Sequence, residues 1–152
     1  MTVAWVFPGQ GSQKIGMANN VINLPYAKER FNYASKVFGK QLFDICEQVS
    51  EQNNLDEDLN NTKNTQICLF LVESVLLDSL KENCFKPNYI AGHSLGEITA
   101  LYCAGVLSFI DSVLLIKERS KLMAEAAKGS MAALIGFDRK ELEFWSRRLM
   151  NW

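Results

Sequence analysis

The sequence predicts an α/β fold, and three observations carry that prediction. Short apolar runs at residues 3–7, 89–91 and 131–137 have the length and composition of strands. Between them lie longer segments whose apolar residues recur at helical spacing. A Gly-x-Ser-x-Gly pattern, Gly92-His93-Ser94-Leu95-Gly96, falls where the second run hands over to a helix. At 152 residues and 48% hydrophobic composition, the chain is long enough for one ordinary domain with a real core.

The first run, residues 3–7, reads as a buried strand stopped by Pro8 and Gly9, which open a tight loop, Pro8-Gly9-Gln10-Gly11-Ser12-Gln13. Helices are expected over residues 29–38 and 41–49. Residues 51–64 are rich in Asn, Asp and Glu and read as a solvated loop. Over residues 65–80 the apolar positions Ile67, Leu69, Phe70, Leu71, Val72, Val75, Leu76, Leu77 and Leu80 cover most of a helical circumference, which marks a buried helix. Pro87 then breaks the chain before the short strand 89–91, and a helix follows over 95–104, ending at Gly105.

Ser108 and Asp111 have capping-box spacing and open a helix expected to run to about residue 127. Lys128-Gly129-Ser130 reads as a turn, residues 131–137 as an apolar strand, and Asp138 with Glu141 as the cap of a last helix. On that helix Leu142, Trp145, Leu149 and Trp152 form one apolar stripe at intervals of three, four and three. A stripe with nothing after it to pack on, and a strand needing sheet partners, point to a chain cut inside a domain.

Sixteen basic residues against seventeen acidic leave a net charge of -1, so there is no broad field to attract nucleic acid or an anionic membrane. Cys46, Cys68, Cys84 and Cys103 are widely spaced in apolar surroundings and read as buried free thiols, with no zinc or redox motif. The N-terminus lacks the plan of a secretory signal, and no apolar run approaches the roughly 20 residues that span a bilayer. A soluble, cytoplasmic protein is expected.

The chemistry centres on Ser94. A strand, a sharp glycine-flanked turn and a helix lift its hydroxyl to a helix N-terminus, where the Leu95 amide can face a developing oxyanion. Glu97, in the first helical turn, suits the helix dipole and takes a structural role. His93 is the one histidine, and adjacent to Ser94 on a sharp turn it should project away from the hydroxyl. A serine needs a base within hydrogen-bond reach to attack at neutral pH, and no residue stands out for that task.

Phe7-Pro8-Gly9-Gln10-Gly11-Ser12-Gln13, then Gly92-His93-Ser94-Leu95-Gly96-Glu97, then Arg119, resemble the acyltransferase family of fatty-acid and polyketide synthesis, in particular its malonyl-CoA:acyl carrier protein transacylases. The resemblance covers essentially the whole chain. It implies that Ser94 is the nucleophile, that the backbone N–H groups of Gln10 and Leu95 form the oxyanion hole, and that Arg119 pairs with the malonyl carboxylate. An arginine suits that task, because its planar fork meets a carboxylate through two charge-assisted hydrogen bonds. The substrates implied are malonyl-CoA and phosphopantetheinylated acyl carrier protein, with no metal or further cofactor.

The family's fold is an α/β-hydrolase-like large domain interrupted by a ferredoxin-like small domain, after which the large domain resumes and supplies a catalytic histidine. Residues 1–127 then correspond to the incomplete large domain and 128–152 to the start of the small one, entered at Gly129-Ser130-Met131-Ala132-Ala133. On this reading the histidine is absent and the chain alone is impaired, with a missing C-terminal half as a possible partner. Two other readings stand beside it. One is a non-catalytic protein that binds a partner through the stripe of Leu142, Trp145, Leu149 and Trp152; the other is a generic serine hydrolase, which the elbow alone cannot separate from an acyltransferase.

Overall fold

The computed structural model describes residues 2–48, 58–83, 85–126, 136 and 138–149. In chain order its elements are β1 (Ala4–Phe7), α1 (Ala27–Phe38), α2 (Leu42–Glu47), α3 (Thr62–Glu82), β2 (Tyr89–Gly92), α4 (Leu95–Cys103), α5 (Phe109–Glu125) and α6 (Arg139–Leu149). β1 and β2 pair in parallel, with Ala4 opposite Tyr89 and Phe7 opposite Gly92. A parallel pair needs a long crossover, and α1 to α3 provide it. The register puts the end of β1, and hence the loop after it, beside the Ser94 turn.

α3 is the central helix, packed against α1, α2, α4 and α5. Ile67, Phe70, Leu71 and Val75 are almost wholly buried on it. Each such side chain contributes on the order of 1.5–3 kcal/mol of hydrophobic stabilisation, so a helix that is apolar nearly all round belongs in the middle of the layer. A polar clamp ties the other helices to it. Arg30 of α1 donates to the Asp78 carboxylate of α3 and, over 2.8 Å, to the Tyr102 hydroxyl of α4. The same guanidinium lies 4.8 Å from the centre of the Phe109 ring of α5, a cation–π distance.

Several boundaries moved for local reasons. α1 starts two residues earlier than expected, after Tyr26 in the left-handed region at φ 63°. α2 ends at Glu47 because Gln48 is left-handed at φ 49°. α3 begins at Thr62 rather than 65, since the Asn61 side chain accepts the Lys63 amide at 3.0 Å and caps the helix.

The expected solvated loop is thus corrected at its end. Leu59 is buried, and Asn64 is fully buried with its side chain donating to the Asp58 carbonyl at 2.8 Å. A polar residue enters a core when its hydrogen bonds are met there, which composition does not reveal. The caps at Ser108 and Asp138 stand as expected, accepting the amides of Asp111 and Glu141 at 3.1 and 2.8 Å. The turn at 128–130, the strand at 131–137 apart from Gly136, the domain boundary at 127–128, Cys84 and Trp152 lie outside the described residues, as does the Leu149 side chain. On α6, Leu142 and Trp145 are exposed.

The strands correct a second expectation. Phe7 is buried against Leu77 and Cys103, but Val6 is 70% and Tyr89 67% exposed. An apolar run cannot by itself say whether one face or two will be covered. Beside β1 runs a groove of about 500 Å³, lined by Val6, Leu69, Val72, Glu73, Leu76 and Leu80 among others. Among the described residues no helix is long and apolar enough to cross a membrane.

Candidate active site

The elbow depends on close backbone approach. A Cβ on Gly92 would stand 2.0 Å from the Gly96 carbonyl oxygen, and one on Gly96 would stand 2.1 Å from that of Phe7. Any side chain at either position would force apart the strand end, the turn and the first turn of α4. Gly9 does the same for the neighbouring loop, where a Cβ would come within 2.5 Å of the His93 carbonyl oxygen. These contacts seat the loop after β1 directly on the serine turn.

Ser94 occupies the turn at φ 56°, ψ -109°, a conformation L-residues rarely adopt, and caps α4 without a side-chain hydrogen bond to the helix. Such strain costs on the order of 1–3 kcal/mol and persists only where surroundings over-determine it. Here the His93 amide donates to the Phe7 carbonyl at 3.0 Å, and the Gly96 amide to that of His93 at 3.0 Å. The hydroxyl is therefore exposed at a helix N-terminus, where the dipole favours negative charge.

The loop is pinned by its own side chains. The Gly11 amide donates to Gln13 Oε1 at 2.7 Å, Ser12 Oγ donates to the Gly9 carbonyl at 2.8 Å, and Gln13 Nε2 reaches Asn60 Oδ1 at 3.0 Å. Gln10 Nε2 lies 3.3 Å from Thr62 Oγ1, anchoring the loop on the first turn of α3. No described residue accepts a hydrogen bond from the amide N–H of Gln10 or of Leu95. Both donors remain open at the elbow.

Arg119 is half-buried on α5, and its Nη2 donates to Ser94 Oγ at 3.0 Å. That contact ties the guanidinium to the serine turn rather than leaving it to solvent. Its Nη1 donates to Gln66 Oε1 on α3, while Gln66 Nε2 lies 3.4 Å from Met123 Sδ. Gln66 is fully buried. Sequence reasoning passed over it, although a polar amide inside an all-round apolar helix was a signal that a partner had to exist.

His93 is exposed and makes no hydrogen bond to Ser94, as its place on the turn predicted. Glu97 is exposed in the first turn of α4. A second polar residue missed in the sequence is Glu73, which is buried on α3 and accepts a hydrogen bond from Thr99 of α4, while its Oε1 has no partner. Burial raises its carboxyl from an ordinary 4.5 to about 7, partly offset by the Thr99 hydrogen bond. Cys46, Cys68 and Cys103 are buried free thiols. A hydrogen bond with Cys46 and then burial push the Cys68 thiol well up, and burial raises Cys103, so neither suits a nucleophilic role.

A family model described as "Acyl transferase domain" matches residues 4–148. The malonyl CoA-acyl carrier protein transacylase of Synechocystis sp. is 43% identical over 143 residues, covering 94% of this chain and 47% of that protein. The enzyme of the same name from Salmonella typhimurium is 42% identical over 140 residues, with 89% and 44% covered. The crystal structure of the Synechocystis transacylase superposes with a TM-score of 0.82 over 95% of this chain and 47% of its own. A malonyl-transacylase solved with a type II polyketide acyl-carrier protein gives 0.80 at 35% identity, over 97% and 48%.

The α/β architecture is shared with these neighbours, and the chain spans about half the length of the relatives it matches. With that match and the elbow, loop and arginine in place, the chain belongs to the acyl transferase domain family, alongside the malonyl-CoA:acyl carrier protein transacylases.

Proposed function

We propose that this chain supplies the nucleophile and the acyl-group site of a malonyl-CoA:acyl carrier protein transacylase. The observation that carries the reading is the 3.0 Å contact between Arg119 Nη2 and Ser94 Oγ. A fixed cation beside a serine nucleophile is of little use for a plain ester. It is of direct use when the acyl group ends in a carboxylate, and this favours an acyltransferase over a generic hydrolase.

In this mechanism Ser94 Oγ attacks the thioester carbonyl of malonyl-CoA and loses its proton to a base. Negative charge gathers on the carbonyl oxygen, where the open amides of Leu95 and Gln10 stabilise it. The C–S bond then breaks, coenzyme A leaves as the thiol after taking up a proton, and a malonyl-serine ester remains. Attack by the phosphopantetheine thiol of acyl carrier protein repeats the steps in reverse and restores the serine. Arg119 holds the distal carboxylate through both halves.

No described residue is placed to take the Ser94 proton. The base would come from polypeptide matching the rest of the relatives' length, so the chain alone would acylate slowly and turn over little, because oxyanion stabilisation and binding retain some catalysis without the base. The finer fold reading belongs to the same proposal, with an α/β-hydrolase-like large domain and a ferredoxin-like small domain opening after residue 127. The exposed Leu142 and Trp145 on α6 would then be covered by that further polypeptide rather than by an unrelated protein.

Intact-mass measurement after incubation with malonyl-CoA tests the proposal. One malonyl group should appear on Ser94, much faster than an acetyl group from acetyl-CoA, and Ser94→Ala should abolish it. Labelling that survives Ser94→Ala, or equal labelling by both thioesters, would sink the assignment.

A further inference from the structure

We infer that Gln66 is a positioning residue for acyl-group selection: it aims Arg119 without neutralising it. The inference rests on the functional reading above and adds to it a residue on a different helix, 53 positions away in the chain.

An arginine side chain is long, and holding its guanidinium in one place costs rotamer entropy. On α5 the neighbours Lys117, Glu118 and Lys121 are exposed, so they offer Arg119 no fixed wall. The fixed point comes from α3. Gln66 is fully buried, so its amide cannot exchange partners with water, and its oxygen takes Nη1 of Arg119. The amide orientation is dictated chemically, because a guanidinium only donates and must face the oxygen. The amide nitrogen then faces Met123 Sδ at 3.4 Å. Arg119 and Met123 are one turn apart on α5, so a single side chain clips that face of the helix from across the core. With Nη1 tethered, Nη2 points at Ser94 Oγ.

The choice of an amide is the telling part. A glutamate of the same length would hold the guanidinium at least as firmly, but it would satisfy the positive charge internally. A substrate carboxylate would then compete with an ion pair already made. Glutamine supplies the acceptor and leaves the charge free. Buried Glu73, seven residues further along α3, shows that the helix tolerates a carboxyl in its buried face, so size alone does not explain an amide at position 66.

The test is binding of malonyl-CoA and acetyl-CoA, measured by calorimetry on the 152-residue chain carrying Ser94→Ala so that no acyl transfer intervenes. Gln66→Met keeps length and packing but removes the acceptor. It should weaken malonyl-CoA about tenfold more than acetyl-CoA, the scale of losing aim on a charged contact. Gln66→Glu should reduce the malonyl preference at least as far, through charge competition, and it serves as the second reading should the methionine variant unfold. Equal weakening of both ligands would mark Gln66 as merely structural and overturn the inference, as would a Gln66→Glu chain that keeps full malonyl preference. A parent chain with no malonyl preference at all would instead remove the functional reading, and this inference with it.

Discussion

Gln66 and Glu73 sit two turns apart on α3, both buried, and meet opposite fates. The glutamine has protein partners at both ends of its amide and joins the Ser94 site through Arg119. The glutamate has Thr99 on one oxygen, nothing on the other, and a carboxyl raised to about 7. A neutral amide needs only its hydrogen bonds to be buried at little cost, whereas a carboxylate must also lose its charge or find a cation. One end of α3 is therefore finished on its own terms. The middle of the helix, facing the groove beside β1, holds a polar group that the described residues only half satisfy.

The largest effect that would sharpen this contrast lies in the pH dependence of stability. The unfolded chain ionises Glu73 near 4.5, while the folded chain keeps the proton to about 7. The group's contribution is fullest below the lower value, falls as pH rises between the two, and is level above. The drop is on the order of 3 kcal/mol, and Glu73→Gln should abolish it while leaving stability at acid pH little changed. Denaturant unfolding of both chains at pH 5 and pH 8 measures this, and a Gln variant with the same pH slope would show that Glu73 is not its source.

Next in size is the site end of the helix. Arg119→Ala should reduce the preference of Ser94 acylation for malonyl over acetyl groups by roughly ten- to a hundredfold, with little change for acetyl-CoA. Rates of mass gain with the two thioesters give the ratio directly. An unchanged preference would detach Arg119, and Gln66 with it, from substrate selection.

The smallest effect concerns the strained turn. Ser94→Ala and Ser94→Gly both remove the hydroxyl, but only glycine relieves φ 56°, so the glycine variant should be more stable than the alanine variant by about 1 kcal/mol. Thermal unfolding of the pair tests it. Equal stability would mean that the turn carries no strain at Ser94.

Much of this molecule was legible in one dimension wherever the governing physics is local. The elbow could be read because five consecutive residues fix a strand end, a turn and a helix start, and because Gly92 and Gly96 are demanded by contacts within that span or with β1. Caps at Ser108 and Asp138 depend on residues three apart. Readings failed where burial was set by distant chain. The run 3–7 became a strand with an open face, and the polar stretch 51–64 turned inward at Leu59 and, within the first turn of α3, at Asn64.

For Ser94, the sequence by itself determined the chemistry on offer, a serine at a helix N-terminus with glycines to permit the turn. Only the tertiary structure decided what stands around it. Arg119 is 25 residues from Ser94 and Gln66 is 53 from Arg119, and no periodicity within a helix relates them. They meet because α3, α4 and α5 bury their apolar faces against one another, and that packing brings a buried amide, a guanidinium and a hydroxyl into one line of hydrogen bonds.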